Sequence, residues 1–182
     1  MAKTFSGSDD LINSRDTIGA VVELEDEISD MESDIESVKS EIDDKTVELE
    51  DFENECVELD DKEDADEIAT LEEQQGACED EIKNLTQTLS LHEEDLDDLQ
   101  QALNPLRAVV EEAEGYAPDW QHGATLINDD YFVEYAQQVA EEVSGVSDEW
   151  PGSFIYWEAA ADALKMDYTS VDFEGNTFWI RM

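Results

Sequence analysis

From Val21 to Leu59, apolar residues recur at alternating steps of three and four: Val21, Leu24, Ile28, Met31, Ile35, Val38, Ile42, Leu49, Phe52, Cys56 and Leu59, with Lys45 the one polar intruder. A second run follows the same rule through Ile68, Leu71, Gln75, Cys78, Ile82, Leu85, Leu89, His92, Leu96, Leu99, Leu103, Leu106 and Val110. A seam held over so many heptads predicts coiled-coil helices, because only a 3.5-residue repeat keeps those side chains facing a partner helix. Between the runs, "DDKEDADE" at 60–67 has no apolar anchor, and the nine-residue step from Leu59 to Ile68 breaks the register. A turn is expected there. Two arms of similar length around a short polar turn make an antiparallel hairpin in which each seam covers the other. The simplest register sets Leu59 against Ile68, Ile42 against Leu85 and Leu24 against Leu103. A register one heptad further out would set Cys56 against Cys78. The first is preferred because it buries Ile68 and Leu71. A long parallel dimer with a stutter at 60–67 is the rival arrangement. Pro105 is expected to kink or restart the second arm.

The residues off the seam pose a second question. Segment 21–113 holds 35 Asp or Glu and 5 Lys or Arg, out of 52 acidic and 9 basic residues in a 182-residue chain of formal charge −43. Coiled coils supported by their flanks alternate Glu with Lys, whereas here like charges sit a turn apart and repel. Solubility in a small domain needs far less charge. One arm of 39 helical residues is about 58 Å long, a length over which B-form DNA presents about 34 phosphates. A two-helix rod is also about as wide as a duplex. The expected partner is therefore a basic DNA-binding groove that holds a duplex through Lys and Arg, engaged through Glu25, Asp26, Asp30, Glu32, Asp34, Glu36, Asp43, Asp44, Glu93, Glu94, Asp95, Asp97 and Asp98. Two plainer readings stand beside this one: a solvated face on a scaffold coil, and adaptation to high salt.

After Gly115 the composition changes, and the rest of the chain holds all four Trp and all five Tyr. Asn128 or Asp129 can cap a helix running through Tyr131, Phe132, Tyr135, Ala136, Val139 and Val143 to about Gly145. Ser153–Lys165 makes a second helix. "YTSVDFE" and "TFWIR" around Gly175-Asn176 alternate as a β-hairpin should. The fold class expected is mainly α, a long antiparallel coiled-coil hairpin followed by a small α+β C-terminal domain. Its boundaries are a flexible segment at 1–20, the acidic hairpin at 21–113, and the C-terminal domain at 114–182.

"HGATLINDDYFVEYAQQVAEEV" followed by "WEAAADALKMDYTSVDFEGNTFWIR" resembles the C-terminal part of ArdA-type antirestriction proteins of phages and plasmids, over about residues 122–182. Trp157, Glu158, Ala159 and Leu164 fall on the aromatic-Glu-Ala…Leu motif of that family. Tyr156 departs from it, standing where an acidic residue is frequent. The resemblance implies a DNA-mimicking inhibitor, with type I restriction–modification complexes as targets.

Chemistry is not expected. His92 reads as a seam residue and His122 as part of a turn, and neither joins a nucleophile or metal constellation. No phosphate-cradling glycine loop and no calcium-binding loop occurs. No enzymatic activity, cofactor or metal is expected. Nine scattered cations argue against direct nucleic-acid binding. With no apolar run of membrane-spanning length and no secretory core, the expectation is a soluble protein of the bacterial host cytoplasm, without membrane contact, that can form a homodimer.

Overall fold

The computed structural model describes residues 5–59, 65–146 and 152–182. Helix α1 spans Ser14–Glu58 and helix α2 spans Ala65–Glu114. Most of the turn expected at 60–67 lies outside the described residues. The chain divides into two compact units, one made of Met1–Glu25 with Gln101–Met182 and the other of Asp26–Gln100.

The second unit is the helical hairpin. Lys39 pairs with Glu93 at 3.4 Å and Lys45 with Glu81 at 2.8 Å, and the Cys78 thiol donates to the Lys45 carbonyl at 3.3 Å. Partners on α2 thus fall in number as those on α1 rise, which makes the arms antiparallel within one chain. Cys78 therefore lies beside Lys45, in keeping with the first register rather than the one that sets it against Cys56. Among the described residues of this unit, every seam position is buried or half-buried and every position off the seam is exposed. Among these described residues only Ile35, Leu71 and Cys78 are buried and the rest of the seam is half-buried, because two helices alone can cover each seam on one flank. Pro105 does not restart the helix, since α2 runs through it from Ala65 to Glu114. Its neighbours Leu103, Leu106 and Val109 are buried, and their packing outweighs the hydrogen bond that proline forgoes.

The first unit is a four-stranded antiparallel sheet in the order β1-β2-β4-β3, with β1 at Leu11–Asn13, β2 at Thr125–Asn128, β3 at Tyr168–Phe173 and β4 at Asn176–Arg181. A short helix α3 (Trp120–Gly123) leads into β2 and buries Trp120. Alternation along the strands gives the sheet two buried faces. Ile12, Leu126, Val171, Phe173 and Phe178 share one face, and a small apolar gap there is lined by Ile12, Leu126 and Phe173 together with Thr17 of α1 and Leu106 and Val109 of α2. On the other face, Ile127, Tyr168 and Trp179 pack with Phe132 and Ala136 of α4 (Phe132–Ser144) and with Ala161 and Leu164 of α5 (Trp157–Leu164). Helix α5 thus begins at Trp157, later than the Ser153 start expected.

Residues 5–20 differ from the flexible segment expected. Phe5 and Ile12 are core residues, Ser14 Oγ donates to the Trp120 carbonyl at 2.7 Å, and β1 forms the sheet edge. The boundary expected at 113/114 likewise cuts through a core that includes Leu103, Leu106, Val109 and Ala113. The β3–β4 hairpin forms as expected, turning on Glu174 and Gly175 with φ of 49° and 77°. That pair of positive φ values belongs to the tight turn whose twist matches the flanking strands. Helix α4 ends on Gly145 at φ 66°, the left-handed position that closes a helix C-terminus.

Candidate partner-binding surface

The hairpin's surface follows from its heptads. Positions off the seam face outward on both arms, so Asp and Glu placed there have nowhere to go but solvent. Glu25, Asp26, Asp30, Glu32, Asp34, Glu36, Asp43, Asp44, Glu93, Glu94, Asp95, Asp97 and Asp98 are all exposed. Glu25 belongs to the first unit and pairs with Arg107 at 2.6 Å. The other twelve lie on the hairpin unit, where 31 acidic residues face 4 basic ones.

Two of those few cations are used internally. Lys39 bonds Glu93 across the arms. Lys45, the polar intruder of the first seam, reaches Glu48 at 2.8 Å along its own helix and Glu81 at 2.8 Å across to the other. Hydrogen bonds to Glu48 and then Glu81 hold its ammonium well above the ordinary lysine range. Next to it, burial pushes the Cys78 thiol up, and Glu48 adds to the effect. A thiol so placed is a seam side chain rather than a nucleophile. The heptad pattern alone does not reveal the cross-arm role of Lys39 and Lys45; a lysine flanking or entering a seam in an otherwise acidic arm is the signal for it.

Trp157, Glu158, Ala159 and Leu164, expected to carry a family motif, belong to the first unit, on α5. Ala161 and Leu164 pack toward α4, Trp157 is half-buried beside Glu134, Gln138 and Glu141 of α4, and Glu158 and Ala159 are exposed. Packing accounts for Trp157 and Leu164 but not for the exposed Ala159. The same unit carries a cleft of about 350 Å³ lined by Asp119, Thr125, Tyr135, Tyr168 and Arg181 among others. The Tyr135 and Tyr168 hydroxyls are 3.2 Å apart there, and burial, followed by the bond to Tyr135, raises the Tyr168 phenol above its ordinary value. Among the described residues no three His, Cys, Asp or Glu side chains gather as a metal ion would require, and no helix is long and apolar enough to cross a membrane.

No family model, curated protein or solved structure matches this chain.

Proposed function

We propose that the protein is a DNA mimic that occupies the basic DNA-binding groove of a bacterial defence enzyme, without catalysis and without itself binding nucleic acid. One observation carries this reading: among the described residues the hairpin turns its off-seam positions outward, and about half of them carry carboxylates that no comparable set of cations balances. A coil that served only as a spacer would gain nothing from that repulsion. A groove that holds a duplex through Lys and Arg would find a matching field along the arms. The resemblance of residues 122–182 to ArdA-type proteins makes type I restriction–modification complexes the first target to test; a recombination nuclease or a CRISPR effector offers the same kind of groove. On this reading the protein acts in the cytoplasm of a host cell during phage or plasmid entry.

The test is competition with duplex DNA for such enzymes. Inhibition should weaken steeply with added salt, and neutralising Glu93, Glu94, Asp95, Asp97 and Asp98 to the amides should weaken it cumulatively. Full potency after neutralisation of the hairpin surface would refute the mimic.

A second reading, an adaptor that binds a protein through the first unit, is favoured by Phe154 at 81%, Tyr156 at 72% and Met166 at 80% exposure. Under it, Phe154→Ser with Tyr156→Ser abolishes partner binding and hairpin neutralisation leaves it intact.

A further inference from the structure

Helices α4 and α5 do not cover the whole of the sheet face on which they pack. Residues directly opposite one another in a ladder share a face, as do residues two apart on one strand. Ile127 stands opposite Trp179 and Tyr168 opposite Arg181, so Thr125, Ile127, Trp179, Arg181 and Tyr168 all project to the side of these helices. Ile127, Tyr168 and Trp179 are packed against them, whereas Thr125 and Arg181, two residues further along β2 and β4 at the same end of the sheet, are exposed. The cleft of about 350 Å³ opens at this uncovered end, with Asp119 in its wall.

Arg181 and Asp119 bring opposite charges to one cleft and stay apart. Among the described residues the ion pairs of this unit join Arg107 to Glu25 and Lys165 to Asp129, and neither Arg181 nor Asp119 takes part in one. Asp119 directly precedes α3, a place where an aspartate commonly caps the helix, yet its side chain makes no capping bond. With 21 acidic and 5 basic residues in the unit, an arginine that no described carboxylate neutralises is out of the ordinary. The Tyr135 and Tyr168 hydroxyls bond each other in the same cleft. Each hydroxyl carries one proton, so one is spent between them and the other remains to donate to a ligand oxygen. Pro118 and Ile127 add hydrocarbon to the lining. A free dianion would meet the repulsion of the surrounding carboxylates, whereas a molecule with one carboxylate and one ammonium has no net charge to repel and satisfies both walls. We infer that this cleft binds a small zwitterion, a free α-amino acid with an uncharged side chain, whose carboxylate is held by Arg181 and whose ammonium is held by Asp119. The site lies in the first unit and does not rest on the mimic reading.

Binding is measured on the full chain by isothermal titration calorimetry with L-leucine and L-phenylalanine. At least one should bind with a Kd below about 1 mM. The amide of that amino acid lacks the carboxylate and its N-acetyl derivative lacks the ammonium, and each should bind about ten-fold or more weakly because one charge-assisted contact is gone. Arg181→Gln and Asp119→Asn should each cause a comparable loss, with native Trp fluorescence showing that the fold is kept. Lys83→Gln removes a cation from the hairpin unit instead and should leave binding unchanged. The inference is overturned if neither amino acid binds below about 10 mM, if the amide or the N-acetyl derivative binds the parent protein as tightly as the amino acid does, or if Lys83→Gln weakens binding as much as Arg181→Gln. The comparison of derivatives uses the parent protein alone, so it decides the matter even where a variant fails to fold.

Discussion

Lys165 ties together much of the aromatic core of the first unit. Its ammonium pairs with Asp129 and lies 4.9 Å from the ring centre of Trp179 and 5.1 Å from that of Phe132. Asp129 also accepts from Trp179 Nε1 at 2.6 Å. The hydrogen bond from Lys165, aided by that from Trp179, holds the Asp129 carboxyl below its ordinary value. A carboxyl depressed on folding adds stability above its unfolded pKa of about 4 and loses that contribution as pH falls through the folded value. Asp129→Asn should therefore cost about 0.5 to 1 kcal/mol at neutral pH, a modest figure because the carboxylate is half exposed. The gap to the parent protein should narrow as pH falls below about 4, and urea midpoints in neutral and acid buffer check it; a gap that persists undiminished in acid would show that the ion pair is not its source. Phe132 is fully buried among Tyr135, Tyr168 and Trp179 at ring distances of 5.2 to 6.0 Å. Truncating Phe132 to Ala should cost about 3 to 5 kcal/mol, measured by the same denaturation.

At the level of elements, the long helices were legible because their signal is repeated many times, and each seam residue from Leu24 to Phe52 is found on the covered side. Strands β1 and β2 were not legible. Each is read from a single Leu-Ile-Asn triplet, too short to show alternation, and the two triplets pair with one another, Leu11 with Ile127 and Ile12 with Leu126. Each triplet also ends in an asparagine whose side-chain oxygen accepts a backbone N–H two residues on, Arg15 in one and Asp130 in the other, so both strands feed a helical turn through the same cap. What the sequence hid was tertiary: which short apolar stretch would meet which. The candidate surface was legible in its residues but not in its internal pairs, since exposure follows from the heptad while Lys39–Glu93 and Lys45–Glu81 depend on register. Leu71, one of the buried seam residues of the hairpin, provides the test of that seam. Leu71→Ala should destabilise the hairpin by about 2 to 3 kcal/mol, and the loss should appear in far-ultraviolet circular dichroism.

Across the whole molecule, the two units should answer salt and acid differently. All four Trp belong to the first unit, so their fluorescence follows its sheet, while most of the helical signal comes from the two long arms. Salt screens repulsion between exposed carboxylates. The helical transition should therefore shift to higher temperature between low salt and about 0.5 M, where the Debye length is a few Å. The fluorescence transition should gain little from salt and should fall as acid protonates Asp129. Coincident shifts of both signals would mean that the units do not respond independently. An excision makes the same division directly. Joining residue 25 to residue 101 through a short turn should leave a protein with native Trp fluorescence, while residues 114–182 alone should not fold, because they lack Ile12, Leu106 and Val109.

The first unit is assembled from two stretches of chain, and everything from Asp26 to Gln100 enters and leaves between them. Lengthening or shortening the arms by matched heptads alters no residue of the sheet or its two layers of helix. Reach and folding are thus inherited separately: a lineage can recut the length of its acidic arms while the sheet and the helices packed on it stay the same.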